Sequence, residues 1–143
     1  MELGTFGAIL TFALEFEGGI TAFFTAAAET VGEGETGGVF ARLAKAGQKR
    51  LKALERARRE NVAEMILEPI SDFRSEDYPC ETAAPAPAGT ADLVKQSLEL
   101  EKTAVAYYTA ASEKVSVPEV ARILKKIAGQ HARQQETLEG LGG

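Results

Sequence analysis

The sequence predicts an all-α fold, a four-helix bundle with one long crossover, from three observations. Four segments carry apolar residues at steps of three and four, with no strand-like alternation between them. The connections joining them run short, long, short. The first and third segments also repeat each other: Leu14 to Glu29 aligns without gaps on Leu98 to Glu113, with eight of sixteen positions identical. The chain thus reads as one domain over 1–143, made of two helical hairpins at about 3–68 and 90–141 with a crossover at about 69–89.

The first helix is expected from Leu3 to Val31, ending in the run Gly32-Glu33-Gly34-Glu35-Thr36-Gly37-Gly38, whose glycines suit a helix end and a reversal. The second runs from about Val39 to Glu68, where Pro69 cannot donate into the helical ladder. Pro69, Pro79, Pro85 and Pro87 then mark a stretch too long for a tight turn, which reads as the crossover. Thr90 as N-cap, with Asp92 in the first turn, opens a third helix to about Val115. Ser116 and Glu119 form a capping-box pattern for the fourth.

Composition narrows the chemistry. At 143 residues, 45% hydrophobic and 26% charged, the chain has the makings of an ordinary globular domain. A formal charge of -5 supplies no global positive field for a nucleic-acid backbone, so no nucleic-acid partner is expected. Cys80 and His131 are the only residues of their types, which excludes an internal disulfide and any metal site built from several Cys and His ligands. A metal here would rest mainly on carboxylates. The charge-free runs Leu3 to Leu14 and Gly18 to Ala28 fall short of the roughly 20 apolar residues of a membrane span, so no membrane partner and a cytoplasmic location are expected.

Polar residues interrupt each inward stripe. In the second helix the stripe reads Phe40, Ala44, Gly47, Leu51, Leu54, Arg58, Asn61, Met65; in the fourth it reads Val120, Leu124, Ile127, His131, Gln134, Leu138, Leu141. The third reads Val94, Ser97, Glu101, Ala104, Tyr108, Ala111, Val115, and Glu17 lies near the stripe of the first. Isolated charges are costly inside a bundle, so Glu17, Arg58, Asn61, Glu101, His131 and Gln134 are expected to meet, with Tyr108 close to Glu101. In the repeat register Glu17 matches Glu101 and Phe24 matches Tyr108; aligning the second helix on the fourth from Leu51 and Leu124 places Arg58 on His131 and Asn61 on Gln134.

The paired Glu-x6-aromatic helices, Glu17 to Phe24 and Glu101 to Tyr108, resemble the first and third helices of rubrerythrin-like members of the ferritin-like superfamily. The resemblance implies that both Glu are iron ligands, and that the second and fourth helices should each carry Glu-x-x-His to complete a di-iron centre for peroxide reduction or iron oxidation. Arg58 and Asn61, and His131 and Gln134, stand at those positions instead. The expectation is therefore a degenerate site, without cofactor or catalytic residues, in which protein cations neutralise the two carboxylates. The alternative is a single iron, manganese or zinc ion on Glu17, Glu101 and His131, in a rubrerythrin-like oxidoreductase with a reduced ligand set. Family members commonly associate through bundle faces, which makes a homo-oligomer an expectation of the same kind.

Arg42, Lys45, Lys49, Lys52, Arg56 and Arg59 follow the outer positions of the second helix. The stripe reads as a solvated face or as a docking surface for an acidic protein partner. Cys80 lacks a CxxC motif or a nearby His and is read as an incidental thiol. The glycines at 32–38 lack the Lys-Ser/Thr of a phosphate loop.

Overall fold

A computed structural model describes residues 2–61, 70–79 and 89–142. Four helices make the bundle: α1 at Phe6–Val31, α2 at Glu35–Glu60, α3 at Thr90–Lys114 and α4 at Pro118–Gly142. The helices of each hairpin, α1 with α2 and α3 with α4, pack along their length; the hairpins meet through α1 with α3 and α2 with α4.

α1 begins at Phe6 rather than Leu3 because the preceding residues are used elsewhere. The Leu3 amide donates to the Phe73 carbonyl at 2.9 Å, and the Ile70 amide donates to Gly4 at 2.7 Å. Residues 2–4 thus run extended beside the crossover, with an antiparallel bridge from Glu2 to Arg74. Thr5 then caps α1, its hydroxyl accepting from the Ala8 amide at 3.1 Å, a contact of the kind worth about 1 kcal/mol. The helix ends at Gly32, whose φ of 78° is natural only for glycine, and Gly34 at 128° completes the reversal.

The loop is shorter than the glycine-rich run suggested. Only residues 32–34 are non-helical, and α2 starts four residues early, with Glu35 in its first turn. α2 runs to Glu60, where Asn61 donates back to the Ala57 carbonyl at 2.8 Å. The expected continuation to Glu68, the stop at Pro69, Met65 and the Cys80, Pro85 and Pro87 part of the crossover lie outside the described residues. α3 takes Gly89 rather than Thr90 as its N-cap. α4 starts at Pro118, two residues past the expected cap at Ser116, because the fixed φ of proline suits the first helical position.

Aromatic packing ties the crossover to the bundle. Phe73 is 2% exposed and stacks on Tyr107 with centroids 5.6 Å apart, and the Tyr107 hydroxyl donates to the Ile9 carbonyl at 2.7 Å. By length and a mean hydropathy of 1.3, α1 could cross a membrane. Half of that apolar stretch is buried within the bundle, and the helix carries a fully buried Glu17 at its middle, as a core helix does.

Candidate functional site

All four helices deliver an ionisable group, and α4 an amide as well, all at mid-height of the bundle. Glu17 on α1, Glu101 on α3 and His131 on α4 are fully buried; Arg50 on α2 and Gln134 on α4 are nearly so. His131 is the pivot. Its Nδ1 lies 2.8 Å from Glu101 Oε2, and its Nε2 is hydrogen-bonded to Glu17 Oε1. Arg50 Nε donates to the other Glu17 oxygen at 3.1 Å, and Arg50 Nη1 donates to Gln134 Oε1 at 3.0 Å. Gln134 closes the ring by donating from Nε2 to Glu101 Oε1 at 3.0 Å. Each of the four carboxylate oxygens therefore meets a nitrogen donor. Tyr108 lies parallel to the His131 ring, centroids 5.5 Å apart, as a flat floor beneath it.

An ionised carboxylate can only accept, so both ring nitrogens of His131 donate, which defines an imidazolium. Burial alone would pull the His131 pKa down, but the charges and hydrogen bonds of Glu17 and Glu101 outweigh it and hold the group at about 9. Glu17 is the complement: burial pushes its pKa up, yet His131 and Arg50 bring it below the usual carboxylate value. Burial, then the Glu17 charge, drives the Tyr108 phenol well above its ordinary value, so it stays protonated. Two carboxylates against an imidazolium and a guanidinium leave the cluster without net charge, which is how such groups tolerate burial.

Of the residues the sequence singled out, Glu17, Glu101, His131 and Gln134 converge here and Tyr108 borders them. Arg58 does not; it is exposed on the outer side of α2. Asn61 is buried but serves the end of α2, away from the cluster. The guanidinium inside the bundle is that of Arg50, which the sequence reading left out. The reason is an ambiguity of phase. After Gly47, the steps 51, 54, 58, 61 and 50, 54, 57, 61 both alternate three and four, and the fold uses the second, burying Arg50, Leu54, Ala57 and Asn61.

Two signals favour Arg50. In an antiparallel hairpin, residues equally far from the turn face each other, and with the turn at 32–34 Glu17 falls opposite Arg50 rather than Arg58. The second is the repeat itself. Glu17 and Glu101 are 84 residues apart, and both hairpin loops, 32–34 and 115–117, have three residues, so the same offset holds through the second helix of each hairpin. It pairs Gly47 with His131 and Arg50 with Gln134, and also Phe40 with Leu124 and Leu54 with Leu138, all of them buried. Gly47 and Arg50 therefore replace Arg58 and Asn61 as the equivalents of His131 and Gln134.

Gly47 offers no side chain where its equivalent offers an imidazole. A Cβ there would stand 2.1 Å from the Thr21 hydroxyl, so Thr21 fills the space. Among the described residues no group of three or more His, Cys, Asp or Glu is disposed to hold a metal ion. His131 sits between Glu17 and Glu101 with both nitrogens turned to carboxylate oxygens, and Arg50 holds an oxygen of Glu17. As arranged, these donors do not fit a metal.

The comparisons agree with this architecture. The family described as "Ferritin-like domain" matches residues 7–142. A solved structure from Pyrococcus furiosus, described as "Hypothetical Protein Pfu-1136390-001", is similar with a TM-score of 0.69 at 18% identity, covering 94% of this chain and 85% of that one. At that identity the likeness is one of fold. No curated protein matches.

Proposed function

This chain belongs to the ferritin-like domain family, and we propose that within it the protein is a rubrerythrin-like member whose di-metal centre has given way to a charge-balanced polar core. Its role is then binding or structural, in the cytoplasm, and it carries out no peroxidase or ferroxidase chemistry. One observation carries this reading: the His131 imidazole bridges Glu17 and Glu101 while Arg50 holds Glu17, so protein cations stand beside the two carboxylates that resemble iron ligands. At the two Glu-x-x-His positions the chain has Gly47 with Arg50, and His131 with Gln134. Neither pair supplies a bridging carboxylate, and a guanidinium repels a second cation.

Anaerobic titration with ferrous iron, followed by oxygen, tests the proposal. The expected result is no saturable iron binding and no oxo-bridged absorption band. A band that saturates at two irons per chain would overturn it, and one tightly held metal ion in protein from iron-supplied cells would favour the reduced ligand set Glu17, Glu101 and His131.

A further inference from the structure

Beside the polar core, α2 and α4 leave a groove of about 300 Å³ lined by Ala46, Lys49, Arg50, Gln130, Arg133 and Gln134, with Thr137 at one end. Three of these side chains are permanent or near-permanent cations, and none is acidic. Arg50 already shares its charge with Glu17. Lys49 and Arg133 are exposed, and neither has an ion-pair partner among the described residues. Gln130 accepts a long hydrogen bond from Arg50 Nη1 at 3.4 Å through its oxygen, which leaves its amide N–H groups as free donors. Arg50 adds a further unused donor, for its Nη2 is buried without an acceptor.

The repeat explains how like charges come to share one groove. The offset of 84 residues makes Lys49 equivalent to Arg133, Ala46 to Gln130 and Arg50 to Gln134, so the walls are the same positions of the two hairpins. Two unpaired cations at equivalent positions of one groove repel each other, and an anion between them removes that cost. Guanidinium and amide donors around a small space match an oxyanion that offers several acceptor oxygens at once.

We propose that this groove is a binding site for a small phosphate-bearing dianion, held by Lys49 and Arg133 over the Arg50 guanidinium. The proposal rests on the reading of the core only through Arg50 and Gln134; Lys49 and Arg133, which the test removes, make no bond to Glu17, Glu101 or His131.

Thermal unfolding of the full chain at constant ionic strength, with inorganic phosphate replacing chloride, reads the site. A saturable rise in melting temperature is expected. The double variant Lys49→Gln, Arg133→Gln should weaken phosphate at least tenfold, whereas Lys52→Gln, Arg59→Gln, which removes the same charge elsewhere on α2, should leave the curve unchanged. All four side chains are exposed, so both variants should fold, as near-ultraviolet circular dichroism would verify. Equal weakening in both variants, or no saturation, would overturn the proposal. Saturation by succinate or by a poly-glutamate peptide, without response to phosphate, would also overturn it, in favour of a dicarboxylate or an acidic partner.

Discussion

Arg50 and Arg58 differ only in which side of α2 they occupy, yet they should respond oppositely to the same substitution. Removing Arg50 strands Glu17 beside a single cation in a dry core, so Arg50→Ala should cost about 3 to 5 kcal/mol, the scale for breaking a buried ion pair. Arg58→Ala alters an exposed position and should stay within about 0.5 kcal/mol. Urea denaturation of the two variants measures both. His131 gives the cluster a pH dependence whose sign follows from its pKa, about 9 folded against 6.5 for the free side chain. A raised folded pKa contributes stability that is complete below 6.5 and disappears as the pH rises through 9; the difference corresponds to roughly 3 kcal/mol. Glu17 acts at the other end: its lowered pKa contributes above the ordinary carboxylate value of 4.5 and is lost as the pH falls below it. Stability should therefore peak between about 4.5 and 6.5. In His131→Gln, which keeps hydrogen-bonding groups but not the charge, the decline between 6.5 and 9 should vanish from the urea midpoints.

At the scale of helices, Gly47 sets how closely α1 and α2 approach. The Thr21 hydroxyl occupies the place of the missing Cβ, and its Oγ1 is buried without a partner. Gly47→Ala should therefore destabilise by about 1 to 3 kcal/mol, the scale of overpacking, despite the higher helix propensity of alanine. Thr21→Ala removes both the obstacle and an unsatisfied hydroxyl. Combining the two should recover most of the loss, and a double-mutant cycle on thermal or urea stability reads the coupling. Strictly additive effects would show that the two residues do not touch. The same α1–α2 contact accounts for the part of the site that the sequence left hidden. The inward stripe of α4 contains His131 and Gln134 in the order the spacing gave, whereas in α2 two phases of the three-four alternation fit the apolar residues equally well, and the partner helix and the repeat offset are what distinguish them.

For the whole molecule, the repeat offset turns the site into a test of ancestry. Gly47→Glu, Arg50→His, His131→Glu and Gln134→His, with Thr21→Ala to clear the space beside residue 47, would place the family's ligand pattern on both hairpins at once. This fivefold variant should gain thermal stability with manganese, saturating at two ions per chain, while the parent gains none. Without metal it should be less stable than the parent and weaken further as the pH rises, because four carboxyl groups crowd a core stripped of its guanidinium. A variant that folds but ignores manganese would mean that the hairpins are not equivalent in this register.

Local chemistry was enough to determine the class of fold: apolar spacing marks the four helices, Gly32 and Gly34 mark the first reversal, and the identities between Leu14 to Glu29 and Leu98 to Glu113 mark the duplication. It also nominated Glu17, Glu101, His131 and Gln134, because a polar residue interrupting an apolar stripe is visible along one helix. What only the tertiary structure decided was which cation of α2 joins them. Arg50 and Arg58 are alike in chemistry and both compatible with the helical period; the choice is made by the distance of each from the 32–34 turn, the absence of a side chain at Gly47, and the cost of leaving Glu17 buried without a partner.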